Sequence, residues 1–195
     1  MIRFIGDIHA DFDWYLCVIK DSEWTFQLGD LGLGFGVPLP EVPPGNHYFI
    51  RGNHDNPDLC TKTKGYLGDY GTLDTPLGKL FFVSGGCSVD WKMRTPGVDY
   101  WPKEQLSIEA MDKALELYIK EKPDIVISHE GPRSIAKRLL RNAVPTPTNL
   151  LLDEMNKVHK PRYWLFGHYH IEKVIKIYKT TYCAVDMNQT VDIGE

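Results

Sequence analysis

Five short motifs in this sequence combine carboxylate, amide and imidazole side chains, most of them next to glycine. They are Gly6-Asp7-Ile8-His9, Gly29-Asp30, Gly52-Asn53-His54-Asp55, Ser128-His129 and Gly167-His168-Tyr169-His170. A ligand set of oxygen and imidazole without thiolate suits Mn, Fe, Zn, Co or Ni better than a structural cysteine-rich zinc site. The motifs therefore predict a metal centre.

The spacing within two of the motifs suits shared ligation of metal. Residues i and i+2 of an extended segment point to the same side, so Asp7 and His9 can present two donors to one ion or to a close pair. His168 and His170 have the same spacing. Glycine before four of the motifs permits tight turns and lets the backbone approach a bound ion.

Each motif follows a short apolar run rich in β-branched and aromatic residues, which is typical of a buried strand. The predicted strands are Ile2–Ile5, Phe26–Leu28, Tyr48–Ile50, Leu80–Val83, Ile125–Ile127, Tyr163–Phe166, Val174–Tyr178 and Tyr182–Val185. Apolar residues at helical spacing predict helices at Asp13–Lys20, Lys103–Lys120, Ser134–Asn142 and Thr148–Val158. Glycine and proline indicate surface loops at Gly32–Asn46 and Gly85–Pro102.

Strands interleaved with helices predict an α/β domain with covered sheets. From Tyr163 onward the strands follow one another with short turns, which favours antiparallel pairing in a second sheet. In open α/β sheets, ligands gather beyond the carboxyl ends of the strands. The five strand ends that precede the motifs are therefore expected to converge on one site.

The composition is typical of one soluble globular domain. The 195 residues are 43% hydrophobic and 25% charged, and we expect a single domain over residues 1–195. The net charge of -4 and the isoelectric point near 6.0 argue against a broad basic surface for long nucleic acid. Phosphorylated small molecules, nucleotides or proteins are easier to accommodate. The oligomeric state stays open.

Three features favour a cytoplasmic location. No apolar run approaches the roughly 20 residues that a membrane-spanning helix needs. The first strand begins at Ile2, which leaves no room for a leader peptide. The cysteines have no paired short spacing, so we interpret them as reduced and mostly buried thiols; they are Cys17, Cys60, Cys87 and Cys183.

The ordered set Asp-x-His, Gly-Asp, Gly-Asn-His-Asp, His and Gly-His-x-His resembles that of the calcineurin-like metallophosphoesterases. The resemblance runs from Asp7 to His170. It implies two facing mixed β-sheets flanked by helices, as a four-layer sandwich. It also implies hydrolysis of phosphoesters by metal-bound hydroxide between two divalent ions, roughly 3.5–4 Å apart, with Mn the favoured metal.

Carried over position by position, the resemblance assigns a role to each motif residue. One ion would be bound by Asp7, His9, Asp30 and His170, and the other by Asp30, Asn53, His129 and His168, so that Asp30 bridges the two. His54 would not be a ligand but would face the substrate and assist the leaving oxygen. Asp55, the other expected catalytic residue, is suited to orient the His54 imidazole.

Several other histidine, aspartate, tryptophan and arginine residues can be explained without a role in binding metal. His47 and His159 are expected at the surface or at a cap, and Asp11 and Asp13 at the start of a helix. The indoles of Trp14, Trp24 and Trp164 are expected in the core. Arg51 and Arg133 lie next to motifs in the sequence, and Arg94 lies in the long loop with Trp91 and Trp101. Each guanidinium could clamp a phosphate or form an ordinary salt bridge.

Several functions stay open at this point. Protein Ser/Thr phosphatases of the family continue with Asp-Arg-Gly where this chain has Leu31-Gly32-Leu33-Gly34, which weakens that assignment. The favoured hypothesis is hydrolysis of small phosphomonoesters or phosphodiesters. The alternative is a metal-dependent nuclease or nucleotide phosphodiesterase that uses Arg94, Trp91, Trp101 and Lys103. A scaffold without catalysis is disfavoured, because His54 and all seven ligand positions are present.

Overall fold

Ten strands form in the computed structural model, which describes residues 1–194. They are β1 (Ile2–Ile5), β2 (Trp24–Gln27), β3 (Asn46–Phe49), β4 (Tyr70–Thr75), β5 (Gly78–Val83), β6 (Ile125–Ser128), β7 (Tyr163–Phe166), β8 (Lys173–Ile177), β9 (Thr180–Ala184) and β10 (Thr190–Ile193). All eight runs predicted as strands overlap one of them. The predictions missed β4, whose residues are partly exposed, and β10, a short strand in which polar and apolar residues alternate.

Five helices separate these strands within residues 1–194. They are α1 (Phe12–Ile19), α2 (Pro57–Cys60), α3 (Ile108–Glu121), α4 (Arg133–Leu139) and α5 (Pro147–Val158), and a short 3₁₀ helix covers Trp91–Met93. The Asp11 side chain caps α1, as expected, by accepting a hydrogen bond from Trp14 N. None of the helices in this part of the chain combines the length and the apolar character that crossing a bilayer requires.

Helix α3 begins five residues later than the sequence predicted. Its start is fixed at Ile108, because the Ser107 side chain accepts a hydrogen bond from Ala110 N, 3.2 Å away. Residues 103–106 instead form an irregular connection, in which Glu104 is buried. The helical spacing of apolar residues did not reveal this boundary, because Leu106 is buried on either interpretation.

The strands form two mixed sheets. The four-stranded sheet has the order β10-β1-β2-β3, with β1, β2 and β3 parallel and β10 antiparallel to β1. The six-stranded sheet has the order β4-β5-β6-β7-β9-β8, in which β5, β6, β7 and β9 are parallel and the edge strands β4 and β8 are antiparallel to their neighbours. Two mixed sheets flanked by helices confirm the predicted fold class.

The pairing predicted for the last strands was wrong in part. Strand β7 pairs in parallel with both β6 and β9, and only the hairpin of β8 and β9 is antiparallel within this segment. The reason is that β9 inserts between β7 and β8 in the sheet. The chain then crosses to the other sheet, where β10 pairs with β1.

Three apolar clusters divide the fold into four layers. One cluster joins the facing sides of the sheets, with Phe26 from one sheet and Ile127 from the other. A second packs α3 and α5 on the six-stranded sheet around Trp164, and a third packs α1 on the four-stranded sheet. Trp164 is fully buried, whereas Trp14 and Trp24 lie partly buried at the edges of clusters.

The cysteines are all free within the described chain, as expected, but their burial differs. Cys60 and Cys183 are buried, Cys87 is half-buried and Cys17 is exposed. Burial raises the pKa of Cys183 to about 11, so its thiol is protonated at neutral pH. The expectation of mostly buried thiols therefore does not hold for Cys17.

Replacing the capping residue of α3 tests its boundary. Ser107→Ala should lower the free energy of unfolding by about 1 kcal/mol, because the N–H of Ala110 loses its acceptor. Ser107→Asp should retain most of the stability, and Lys103→Ala, in the irregular connection, should change little. Urea denaturation measures all three. Loss of stability in Lys103→Ala with none in Ser107→Ala would place the helix start where the sequence predicted it.

Candidate metal centre

The carboxyl ends of five strands meet at one edge of the sandwich. In the four-stranded sheet, β1, β2 and β3 are parallel neighbours, so the residues that follow them lie side by side. In the six-stranded sheet, β6 and β7 are parallel neighbours in the same way. The motif residues after these strands are Asp7, Asp30, Asn53, His129 and His168. Their convergence from two sheets creates a cluster of donor atoms, meaning side-chain oxygen and nitrogen atoms that can bind a metal.

The backbone of this cluster is strained. His9, Asp30, His168 and His170 all have positive φ, between 44° and 67°. A left-handed conformation at a residue other than glycine costs roughly 1–3 kcal/mol and persists where the surrounding structure enforces it. The sequence argument from extended strands is thus wrong in its geometry, because turns beyond the strands, not the strands themselves, aim these side chains.

Two glycines make the close approach of the motifs possible. A Cβ atom at Gly52 would collide with the Asp30 carboxylate, and one at Gly167 would collide with the Asp7 carboxylate. Each carboxylate lies directly against the backbone of another motif. Glycine is therefore required at both positions by packing.

One group of donors surrounds the Asp7 carboxylate. His170 Nε2 lies 3.1 Å from Asp7 Oδ2, and His9 Nε2 lies 3.0 Å from His170 Nε2. His9 Nε2 is also 3.9 Å from both Asp7 Oδ2 and Asp30 Oδ2. Three side chains thus point their donor atoms at one small volume, with one oxygen of Asp30 at its border.

A second group of donors surrounds the buried imidazole of His129. Its Nε2 lies 3.1 Å from Asn53 Oδ1, 3.2 Å from His168 Nδ1 and 3.4 Å from Asp30 Oδ1. Asn53 Oδ1 and His168 Nδ1 are 3.0 Å apart. The two oxygens of Asp30 therefore face different groups, Oδ1 the second and Oδ2 the first.

The donor geometry fits a cation better than it fits hydrogen bonding alone. His129 Nδ1 donates to Leu28 O, 2.9 Å away. Its Nε2 therefore presents a lone pair to the site when the ring is neutral and a single proton when the ring is charged. That proton faces three acceptors, in Asp30, Asn53 and His168, and can satisfy only one of them well. A divalent ion in its place could be bound by all of them.

The protonation states of these groups reflect their burial and their charges. Burial alone would raise the pKa of Asp30, but the charge and hydrogen bond of His129, together with the charges of His54 and His9, hold it well below its usual range. In the same pair, Asp30 raises the pKa of His129 to about 10 against the opposing effect of burial. Burial and the charge of His129 lower the pKa of His168 to about 3, so His168 is neutral at neutral pH.

A comparison with protein families shows the class of protein to which this chain belongs. The sequence profile of the family described as calcineurin-like phosphoesterase matches residues 1–172. The chain belongs to this family. It is therefore a metal-dependent phosphoesterase. Curated protein sequences gave no match to the chain.

Solved structures of low identity share the fold of this phosphoesterase. A hypothetical protein from Thermus thermophilus is 18% identical, with a TM-score of 0.53 over 95% of this chain and 76% of that chain. GAP50, the anchor in the inner membrane complex of Plasmodium, is 14% identical, with a TM-score of 0.55 over 96% and 72%. The phosphopantetheinyl hydrolase of Mycobacterium tuberculosis is 12% identical, with a TM-score of 0.54 over 96% and 89%.

The phosphoesterase places His54 and Arg94 together beside the donor groups. Arg94 Nη1 lies 3.0 Å from His54 Nδ1, and Arg94 Nε donates to Asp90 Oδ1 at 2.7 Å. Both side chains line a cavity of about 300 Å³ with Asp30 and His170. Burial and the charge of Arg94 hold the pKa of His54 below its ordinary value, although Asp30 opposes them.

The structure gives Asp55 a role different from the one expected. Its buried carboxylate accepts hydrogen bonds from the backbone N–H groups of Gly52, Leu31, Gly32 and Leu33, at 2.7–3.2 Å. Within residues 1–194, no hydrogen bond joins Asp55 to the His54 imidazole. The expectation that Asp55 orients the His54 imidazole therefore does not hold. Asp55 fixes the turn after Asp30 against the turn that carries Asn53.

Two of the three expected phosphate-binding arginines lie outside the cavity lining. The Arg51 guanidinium is buried and donates to Asp69 Oδ1 and to the backbone oxygen of Glu104. These bonds occupy it within the protein, which contradicts a role in binding substrate. Arg133 begins α4 half-buried, and its Nε has no partner in the described chain. Of the three arginines, Arg94 alone lines the cavity with the donors.

Sequence reasoning missed several residues around the centre. Ser88 and Cys87 line the cavity, and Glu104 and Glu130 bind this segment from beneath through Ser88 N and Cys87 N. Burial raises the pKa of Glu130 to about 7. Glu130 directly follows His129, which was the one available signal. The sequence predicted Glu104 within a helix, where an acidic residue is common at the surface and does not indicate a functional site.

Removing the charge of Asp55 tests its structural role. Asp55→Asn should lower the free energy of unfolding of the metal-free protein by about 1–3 kcal/mol, because the N–H₂ group of asparagine would face backbone N–H groups that now donate to a carboxylate oxygen. The exposed Asp58→Asn is the control and should change stability little. Chemical denaturation compares the two. An unchanged stability in Asp55→Asn would contradict this role.

The raised pKa of His129 predicts a pH dependence of metal binding. Ligation needs the neutral imidazole, and in the metal-free protein His129 is protonated up to about pH 10. Metal binding must therefore displace a proton, and affinity should fall as the pH falls below 10. Titration calorimetry in buffers of different ionisation enthalpy counts the protons. At pH 7.5, His129→Asn should release about one proton fewer than the wild type. Equal proton release in the two proteins would contradict the raised pKa.

Proposed function

We propose that this chain hydrolyses small phosphomonoesters or phosphodiesters with two divalent cations, and that Asp30 bridges them. The observation that carries the proposal is the position of the Asp30 carboxylate. Its Oδ2 lies at the border of the group formed by Asp7, His9 and His170, while its Oδ1 lies 3.4 Å from His129 Nε2 in the other group. A carboxylate between two donor groups is suited to bind a close pair of ions.

The first ion would be held by Asp7, His9, Asp30 and His170, and the second by Asp30, Asn53, His129 and His168. When bound, two divalent cations lower the pKa of water and offset the negative charge of phosphoryl oxygens. Mixed oxygen and imidazole ligands favour Mn, with Fe, Zn, Co and Ni as alternatives. The choice of metal and a cytoplasmic location stay predictions.

His54 and Arg94 would act on the substrate directly. The Arg94 guanidinium, which Asp90 anchors and which lines the cavity, would donate to a phosphoryl oxygen of the substrate. The His54 imidazole, which lies against Arg94 and beside Asp30, is placed to hold the leaving oxygen. A bound phosphate group would raise the pKa of His54 and favour the protonated ring, which can then donate a proton.

The shape of the site favours small substrates over nucleic acid. The cavity has a volume of about 300 Å³, at the lower end of small-molecule sites. The expected aromatic platform for bases is incomplete, because Trp101 is buried and its indole N–H donates to His54 O at 3.2 Å. Of the two tryptophans considered for stacking, only Trp91 is exposed.

Hydrolysis of p-nitrophenyl phosphate and bis-p-nitrophenyl phosphate with added Mn tests the function. We expect turnover of at least one of them, and loss of turnover after removal of metal with a chelator. Short oligonucleotides tested at rising salt concentration provide the comparison. Strong oligonucleotide hydrolysis that weakens steeply with salt would favour the nuclease instead. No turnover of any substrate by protein with two bound ions would overturn the proposal.

Asp30→Asn tests the bridge. The variant should bind both ions more weakly, because each loses a charged oxygen. Metal analysis after gel filtration gives the number of ions per chain. Asp153→Asn is the control: it lies in α5 and should retain two ions. Two tightly held ions in Asp30→Asn would contradict the bridging role.

His54→Gln separates binding of metal from chemistry. Turnover should fall by a factor of roughly 10²–10⁴, because the proton donor is lost, while the number of bound ions should stay at two. Steady-state kinetics and metal analysis on the same samples measure both quantities. The exposed Arg138→Gln serves as a control for nonspecific loss of activity. Loss of either ion from His54→Gln would show that His54 is a metal ligand.

A further inference from the structure

The side chain of Asn53, a proposed ligand, can bind a cation in only one of its two amide orientations. Its Oδ1 faces His129 Nε2 at 3.1 Å and His168 Nδ1 at 3.0 Å. Its Nδ2 faces the other way and donates to Ser88 Oγ at 3.0 Å. Only the amide oxygen can bind a cation, and a rotation of 180° would present the N–H₂ group instead. The partner of Nδ2 therefore determines whether Asn53 can be a ligand.

Ser88 can accept from Asn53 because its own proton is committed elsewhere. The Ser88 hydroxyl donates to Glu104 Oε2 at 2.7 Å, and Ser88 N donates to Glu104 Oε1 at 2.7 Å. An ionised carboxylate only accepts hydrogen bonds, so the hydroxyl proton must point toward Glu104. The lone pairs of Ser88 Oγ are then left for Asn53 Nδ2. The direction of each hydrogen bond follows from the charge of Glu104.

The three side chains are almost fully buried, so water competes little for these bonds. Asn53, Ser88 and Glu104 are exposed by only 2–3%. The Glu104 backbone is held by Arg51, which donates to Glu104 O and is itself paired with Asp69 at 3.0 Å. Arg51 thus has a use that the sequence did not suggest. Buried hydrogen bonds of this kind fix a side chain strongly, because a reversed amide would leave polar atoms unpaired.

We propose that Glu104, acting through Ser88, is a positioning residue that keeps Asn53 Oδ1 turned toward the second ion. The inference rests on the proposed function, in which Asn53 is a ligand of that ion. Outer groups that orient metal ligands commonly alter affinity by 10–100-fold when they are changed. Glu104 therefore controls occupancy of the second ion without touching the ion.

Glu104→Gln is the sharpest test, because it keeps the size of the side chain and adds a donor. If the new N–H₂ group faces Ser88 Oγ, the hydroxyl proton turns toward Asn53 and the amide inverts. If it faces Ser88 N, two donors oppose each other. The second arrangement leaves the Ser88 N–H opposite an N–H₂ group, so the first is favoured, and in it Asn53 Oδ1 is no longer held toward the ion. We expect the affinity for one of the two Mn ions to fall at least tenfold, while the other ion stays bound.

Glu130→Gln is the matched control. Glu130 is also a buried carboxylate and binds the same segment, through Cys87 N at 2.8 Å, but none of its hydrogen bonds involves Asn53 or Ser88. Its substitution disturbs the segment without reversing the amide. Ser88→Ala, which removes the acceptor of Asn53 Nδ2, should reproduce the effect of Glu104→Gln even if that variant folds poorly.

Titration of the metal-free proteins with Mn gives both affinities without any substrate, and thermal unfolding of the same samples checks their folding. If the wild type binds two ions and folded Glu104→Gln and Ser88→Ala bind them equally well, the role of Glu104 is disproved. An equal loss in Glu130→Gln would attribute the effect to the segment as a whole and would also overturn it. If the wild type itself fails to bind two ions, the proposed function fails first.

Discussion

The organisation of this protein depends on the convergence of lone pairs around the Asp30 carboxylate. Asp30 is almost fully buried, has a positive φ and lies between two groups of imidazole and oxygen donors. Such a cluster is unfavourable without positive charge, because acceptors repel one another and lose their hydration. In the metal-free chain, a proton on His129 supplies part of that charge. A pair of cations would supply more, which is why the fold and the metal are physically linked.

The strained turns at the site are held by hydrogen bonds to acidic and amide side chains that are not among the proposed metal ligands. Asp55 holds the turns that follow β2 and β3 together through four backbone N–H groups. The Gln27 side chain joins the ends of β1 and β2 by donating to Gly6 O and Gly29 O. Glu104 and Glu130 hold the segment that covers the second donor group. Rigid support of this kind keeps the left-handed residues of the donor cluster in place.

Much of the fold could be predicted because its local causes lie in the sequence. Strands such as Ile125–Ser128 are continuous apolar runs, buried on both faces, and need no partner to be recognised. Strand β4 differs, because Gly71 and Asp74 interrupt its apolar pattern, and it exists through its pairing with β5. Strand β10 likewise forms because the chain returns to pair with β1. Pairing over a long distance leaves little trace in a short run of residues.

The sequence by itself determined which donor atoms are available and where along the chain strands end, because both are properties of side chains and of local apolar runs. It also determined the family, through the order of five motifs. Only the tertiary structure decided what the remaining charged residues do. Arg51, Asp55 and Glu104 find their partners 16–53 residues away, or in a neighbouring turn, and they hold the site instead of binding substrate. The type of a side chain fixes what it can bind, but its role depends on which groups the packed chain places within hydrogen-bond distance.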